Sequence, residues 1–248
     1  MTEPSIPRVR CLVLALAALA LGVSAASVRA VAGEPPLPPP RPPELGAPGK
    51  APPEPPPPAP TGAAVPACLA KLTADGASAE AATAPPASAE GCGIDAPVRL
   101  SSIMADGGAV SLPDHPLVTC EFAAVLADYV RLIVAPLGQA MLHAKVAEIE
   151  TGPGYACRTQ DRIAGAKISA HAKGLAVDFV AITLADKRRV LVERQTSADE
   201  ASYFRAIRTA ACGWFTTVLG PGADSFHANN VHLDIEHHGS SGSYRICQ

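Results

Sequence analysis

An α+β fold, a small antiparallel sheet flanked by helices and stapled by disulfides, follows from three observations. Short strand-like segments recur without regular alternation with helices. Two longer segments carry apolar residues at helical spacing. The cysteines beyond residue 30 form an even set, Cys68, Cys92, Cys120, Cys157, Cys212 and Cys247. From Cys92 onward about 155 residues have the composition of one globular core.

The chain before that core is of a different kind. Arg8 and Arg10 precede an apolar run from Cys11 to Ala26, followed by the small-residue exit Val28-Arg29-Ala30. This is the layout of a secretory signal peptide over residues 1–30, with the periplasm or cell envelope as destination. The run is shorter than the roughly 20 apolar residues of a bilayer span, and Arg8-Val9-Arg10 before Cys11 is not a lipoprotein signal. Cleavage leaves no membrane span and a mature chain of 17 basic and 22 acidic residues, net −5. With no basic stripe, nucleic acid is excluded as a partner.

Residues 31–66 form a spacer. From Pro35 to Pro66 half of the positions are proline. Proline lacks an amide donor and fixes its backbone, so the tract predicts extended polyproline II. At roughly 3 Å per residue it reaches on the order of 90 Å. A ligand for a proline-binding module is the alternative. The third segment, residues 67–248, opens on Cys68, and an Ala/Ser-rich stretch from Ala77 to Glu90 is expected to loop out beneath a local Cys68–Cys92 bridge. Among the other four cysteines the pairing stays open. Zinc–thiolate binding has no Cys-x-x-Cys pair to support it.

The first helix is expected near Cys120–Ala135, with Phe122, Val125, Leu126, Tyr129, Leu132 and Ile133 on its apolar face and Pro136 and Gly138 ending it. A second begins at Ser197, whose hydroxyl with Glu200 makes a capping box, and turns Phe204, Ile207 and Ala211 inward. Strands fit Lys145–Glu150, Leu175–Ile182, Arg189–Glu193, Thr216–Leu219 and Val231–Glu236. In the last, alternation sends Val231, Leu233 and Ile235 to the core and His232, Asp234 and Glu236 to the other face.

The chemistry concentrates in residues 169–178, Ser-Ala-His-Ala-Lys-Gly-Leu-Ala-Val-Asp. His171 and Asp178 stand seven residues apart around Gly174, and His232 lies downstream in Val-His-Leu-Asp-Ile. Two imidazoles and one carboxylate make a three-ligand zinc site that leaves a position for water, the arrangement of catalytic zinc. No His-Glu-x-x-His helix, phosphate-cradling glycine loop or serine nucleophile elbow is present.

Ser169-x-His171-x-x-Gly174-x-Ala176-x-Asp178 resembles the first metal motif of the zinc D-alanyl-D-alanine dipeptidases and carboxypeptidases, within the wider fold group of lysostaphin-type peptidases and the hedgehog amino-terminal domain. More closely, Cys92-Gly-Ile-Asp-Ala-Pro-Val, Tyr155-Ala-Cys-Arg158, Val218-Leu-Gly-Pro-Gly222 and Tyr244-Arg-Ile-Cys247 resemble the bacterial extensin-like carboxy-terminal domain proteins. The resemblance implies one zinc on His171, Asp178 and His232, with peptide cross-links of peptidoglycan or other envelope peptides as substrate. It also implies substrate contacts from Ser169 and from Arg158, whose guanidinium can clamp a carboxylate; pinning a loop beside Cys157 is the alternative role for this arginine.

The chain departs from those relatives at the base. A zinc peptidase needs a group that takes a proton from water, and relatives place a glutamate three residues before the second ligand histidine or a histidine two before it. Here Asn229 and Asn230 stand there, and an amide accepts no proton near neutral pH. His227, five residues before His232, is the remaining candidate. Asp234, on the face of His232, is expected to support that imidazole, with a surface salt bridge as its alternative. His115 and His143 are expected in structural or surface roles, and His237 and His238 beside Gly239 offer an extra metal contact. Two functions are compatible with these residues: an exported zinc-dependent peptidase, and a catalytically impaired, metal-stabilised binding module.

As a spacer that buries no core, the Pro35–Pro66 tract is expected to be protease-sensitive. Its deletion should leave the thermal midpoint of the domain within about a degree; a larger drop in a calorimetric scan would mean that the tract packs on the domain.

Overall fold

The computed structural model describes residues 64–248 except 241 and 243. The expected signal peptide and nearly all of the proline tract lie outside the described residues. Within them the fold is α+β. One mixed sheet of ten strands runs in the order β1 (Ala77–Ala81), β2 (Pro97–Ala105), β3 (Gly108–Ser111), β5 (Val146–Thr151), β6 (Ala176–Leu184), β9 (Val231–Asp234), β8 (Thr217–Leu219) and β10 (Ile246–Cys247), with β4 (Leu117–Thr119) added to β2 and β7 (Arg189–Leu191) to β6. Its pairings are antiparallel save β3 with β5 and β8 with β10, so the sheet is larger and less uniform than the sequence suggests. None of the described helices is long and apolar enough to cross a membrane.

The domain begins earlier than Cys92. Helix α1 (Ala64–Ala74) buries Leu72, and β1 (Ala77–Ala81) pairs antiparallel with β2 (Pro97–Ala105). The expected loop over Ala77–Glu90 therefore opens with a five-residue strand and loops only after Ala81. That strand and its return path carry Cys92 away from α1, and the expected Cys68–Cys92 bridge does not form. Cys68 instead joins Cys120, the first residue of α2 (Cys120–Tyr129), while Cys92 joins Cys157 and Cys212 joins Cys247.

After β3 (Gly108–Ser111) and β4 (Leu117–Thr119), α2 (Cys120–Tyr129) starts where the Thr119 hydroxyl accepts the Phe122 amide. Pro136 and Gly138 do not stop this helix. A π-helical turn at Val130–Val134 leads into α3 (Ala135–Leu142), and His143, with φ 56°, ends it in the left-handed region. Proline follows closely on the π turn, whose widened backbone absorbs both the missing amide and the shift in register. Gly138 is a packing site: a Cβ there would lie 2.5 Å from Val146 Cγ2 and 3.9 Å from Tyr203.

β5 (Val146–Thr151), β6 (Ala176–Leu184), β7 (Arg189–Leu191), β8 (Thr217–Leu219) and β9 (Val231–Asp234) fall within two residues of the sequence expectation at each end. β10 (Ile246–Cys247) adds a short edge. Helix α4 (Ala198–Ala211) is capped by the Ser197 hydroxyl, which accepts the Glu200 amide at 3.2 Å. The returning half of the expected box shifts by one residue, because the Glu200 carboxylate takes the amide and hydroxyl of Thr196. Phe204, Ile207 and Ala211 are buried as expected. Two buried tyrosines bind the helices reciprocally: Tyr129 donates to the Ile207 carbonyl at 2.8 Å and Tyr203 to that of Val134 at 3.1 Å.

An alanine at position 138 gains helix propensity of roughly 1 kcal/mol, yet its methyl overlaps a β-branched side chain with little rotamer freedom. Gly138→Ala should therefore destabilise the domain by about 1–3 kcal/mol, and Val146→Ala should recover part of that loss in the double variant. Denaturant titration of the three variants tests the packing; a stabilised single variant would contradict it.

Candidate metal centre

His171, Asp178 and His232 come together from two neighbouring strands and one turn. β6 pairs antiparallel with β9 so that Asp178 stands directly opposite His232. His171 sits in the 3-10 turn Ala170–Lys173, just before β6. The turn begins where the Ser169 hydroxyl accepts the His171 amide and ends at Gly174, φ +68°. A Cβ at Gly174 would meet Ile94 Cδ1 at 2.3 Å, so the turn closes against Ile94 only with glycine.

The three ligand atoms converge. His171 Nε2 lies 3.3 Å from Asp178 Oδ1 and 3.2 Å from His232 Nδ1, and His232 Nδ1 lies 3.0 Å from Asp178 Oδ1. Ligands of a tetrahedral ion at bond lengths of about 2.0–2.1 Å are about 3.3 Å apart, so the spacing fits a metal. Among the described residues this is the one such group. The outer nitrogen of each imidazole is also engaged: His171 Nδ1 lies 2.8 Å from the Gly154 carbonyl and His232 Nε2 3.0 Å from Asp234 Oδ2. Each outer N–H donates to its acceptor, and both lone pairs then point inward, as ligating histidines require. His171 and His232 are buried, whereas Asp178 is 28 % exposed at its side chain.

Electrostatics favour a cation. Burial works against ionising Asp178, but hydrogen bonds and charge from His171 and His232 outweigh it and hold its carboxyl far below the usual range. Burial likewise opposes charging His232, yet the Asp178 and Asp234 carboxylates push it up to about 9. A proton held among three converging acceptors is what a bound ion would replace.

Gly154 carried no sequence signal as a partner of the site. Its carbonyl is held by the Gly152–Tyr155 segment, which bonds Leu117 through the Pro153 carbonyl and the Tyr155 amide. At φ +78°, a Cβ on Gly154 would lie 2.5 Å from the Leu117 carbonyl. Close approach of two backbones demands glycine here.

Asp234 does more than alternation implies. One carboxylate oxygen holds His232 and the other accepts the Thr216 hydroxyl and the Glu236 amide. The outer face of β9 is covered rather than exposed: His232, Asp234 and Glu236 are all buried, and Glu236 pairs with Lys173.

His227 lies beside the group. Its ring centre is 5.7 Å from that of His232, and its Nδ1 is 2.8 Å from Asp224. Asp224 also accepts the amides of Phe226 and His227, fixing the turn that presents the ring. The short loop Asp224–His227 held no spacing signal for this pairing. Asn229 is exposed, and Asn230 donates to Asn229 and to the Phe226 carbonyl. His238 contacts the Thr217 hydroxyl rather than the metal group, and His237 packs near Gly242.

Two cavities of about 250 Å³ flank the centre. Arg158, Ser169, His227, His232 and Asp234 line one; Arg158, Asp178, His227, Asn229 and Asn230 line the other. Arg158 reaches both, and its guanidinium donates to the Thr159 carbonyl at 3.4 Å. Ser169 is buried at the first, its hydroxyl already engaged with the His171 amide.

Residues 66–248 match the family model described as extensin-like protein C-terminus. No curated protein and no solved structure matches the chain.

Supporting partners of ligand histidines typically change metal affinity by about 10–100-fold. Asp234→Ala should therefore weaken metal binding in titration calorimetry by about that factor, with the circular dichroism of the fold retained. Unchanged affinity would mean that Asp234 holds only the β9 turn.

Proposed function

We propose that this chain, which belongs to the extensin-like protein C-terminus family, is an exported zinc-dependent peptidase acting on peptide cross-links of the cell envelope. One observation carries the reading: three ligand atoms within 3.0–3.3 Å of one another, with both outer imidazole nitrogens occupied. The donor set of two imidazoles and one carboxylate suits zinc that keeps an open position. When bound there, zinc supplies Lewis-acid polarisation of a carbonyl and lowers the pKa of water to about 7.

The rest belongs to the chain. Asp178 and the two imidazoles hold the ion, Gly154 and Asp234 fix the imidazole tautomers, and Arg158 orients substrate from the cavity wall. His227 takes the proton: Asp224 accepts its Nδ1–H, which leaves Nε2 as the basic nitrogen. A histidine held by a carboxylate in this way replaces the acidic residue for which Asn229 and Asn230 offer no substitute.

A second reading, a metal-stabilised binding module, is favoured by those same asparagines. The two readings separate in one experiment on the oxidised chain, followed by zinc content and by muropeptide release from purified peptidoglycan. Wild type should carry close to one zinc and His232→Ala far less; equal contents would remove the metal site. General bases contribute roughly 10²–10⁴-fold, so His227→Ala should lower release by about that factor while zinc stays bound. Zinc without release in wild type, with release gained by Asn229→Glu, would establish the binding module instead.

A further inference from the structure

We infer that the Cys212–Cys247 bridge is a thiol–disulfide exchange site, and that its opening by a dithiol reductant releases β10 from the wall of the cavity beside the metal group. The inference concerns access to that cavity and holds whichever event, cleavage or binding, takes place there.

The three bridges differ in where their sulfurs stand. Cys120 is buried, and Cys68, Cys92, Cys157 and Cys212 are half-buried, whereas Cys247 alone among the six is exposed. β10, which carries it, is the last strand in the sheet order. Exchange begins with the attack of a thiolate on one sulfur, so access selects the bridge that reacts first.

The bridge ties a weak edge to a fixed point. β10 is two residues long and runs parallel to β8, Ile246 beside Thr217 and Cys247 beside Val218. Its backbone bonds are few: the Ile246 amide donates to Thr216 at 2.8 Å, the Gln248 amide to Val218 at 2.9 Å, and the Gly220 amide to Gln248 at 3.1 Å. Arg245 adds a contact with the Phe215 carbonyl. Solvated bonds of this kind barely offset the entropy of ordering the residues that make them. Cys212, by contrast, caps α4, which Tyr203, Phe204, Ile207 and Ala211 bury in the core. Opening the bridge leaves α4 in place and lets β10 go.

The cavity is what β10 helps to enclose. Ile246 lines it together with Arg158, His227, His232 and Asp234. On the adjoining β8, Thr217 lines the same wall, holds His238 Nε2 at 2.6 Å and stands opposite Asp234. Release of β10 therefore removes an apolar side chain from the wall and unpairs one edge of β8. The β8–β9 pairing, which sets Leu219 against His232, stays.

The exchange balances in two steps. A thiolate of the reductant attacks the Cys247 sulfur, forms a mixed disulfide and expels Cys212 as a thiolate, which takes a proton from water. The second thiol of the reductant, deprotonated, attacks the reductant's own sulfur in the mixed disulfide and expels Cys247, which is protonated in turn. Two electrons and two protons reach the protein, and the reductant leaves as a disulfide.

The test uses the full, oxidised chain, dithiothreitol as the reductant, and alkylation of released thiols read by peptide mass spectrometry. Cys212 and Cys247 should be alkylated together at least about tenfold faster than the other four cysteines. In protein opened at that bridge alone, hydrogen exchange of the Gly220, Ile246 and Gln248 amides should rise at least about tenfold, with the amides of β5 and β6 unchanged. A Cys212→Ser/Cys247→Ser double variant opens the wall without reductant, and modification of its His238 by diethyl pyrocarbonate should be at least about threefold faster than in wild type. Reduction of all three bridges at one rate overturns the inference, as does unchanged exchange at β10 or an unchanged rate at His238. Loss of the circular dichroism of the fold on selective opening, in reduced wild type or in the double variant, also overturns it, because the bridge would then hold the core rather than the wall.

Discussion

The antiparallel pairing of β6 with β9 sets Asp178 across from His232 at the Cα level, and the remaining parts of the centre are arranged around that register. A slip of one residue would turn one of the two ligands to the opposite face. Several contacts prevent it. Val177 and Leu233 face the core as a buried pair, Ile235 donates its amide to Leu175, and β8 on the far side of β9 fixes His232 against Leu219. The hydrophobic core and the metal group therefore specify the same alignment, one from each face of the sheet.

His171 reaches this pair by a different route. It lies on no strand, and its position depends on two places where backbones approach too closely for a side chain. Gly174 lets the 3-10 turn close against Ile94, and Gly154 brings a carbonyl under the ring while touching Leu117. The Cys92–Cys157 bridge anchors this neighbourhood: Gly93 bonds the Ala172 carbonyl and Ala156 that of His171. The disulfide thus holds the loops that carry the first ligand, whereas the other two bridges tie α1 to α2 and the end of α4 to β10.

What was legible in the sequence had a local cause. Strand alternation and the motif from Ser169 to Asp178 gave the three converging residues, because period-two geometry and a glycine turn are written in adjacent positions. The capping role of Ser197 was legible for the same reason. The Gly154 carbonyl was not, since a backbone acceptor has no residue type. Asp224 was not, because its contact with His227 depends on a turn lacking any repeat. The disulfide partners were set by where β1 and β2 carry the chain, a tertiary matter. At Pro136 and Gly138 local propensity pointed to a helix end, and packing against Val146 and Tyr203 overrode it.

The position of β9 also orders the assembly of the molecule. His171 and His232 are 61 residues apart, and β8, β9 and β10 are all drawn from the final 32 residues. The earlier strands can pair among neighbours as the chain is made, but the third ligand arrives only when this last edge docks. Contacts of such long sequence separation form late because their loops must close first. An ion held by all three residues would therefore clasp the finished sheet rather than nucleate it, and its retention would report that the final edge is in place.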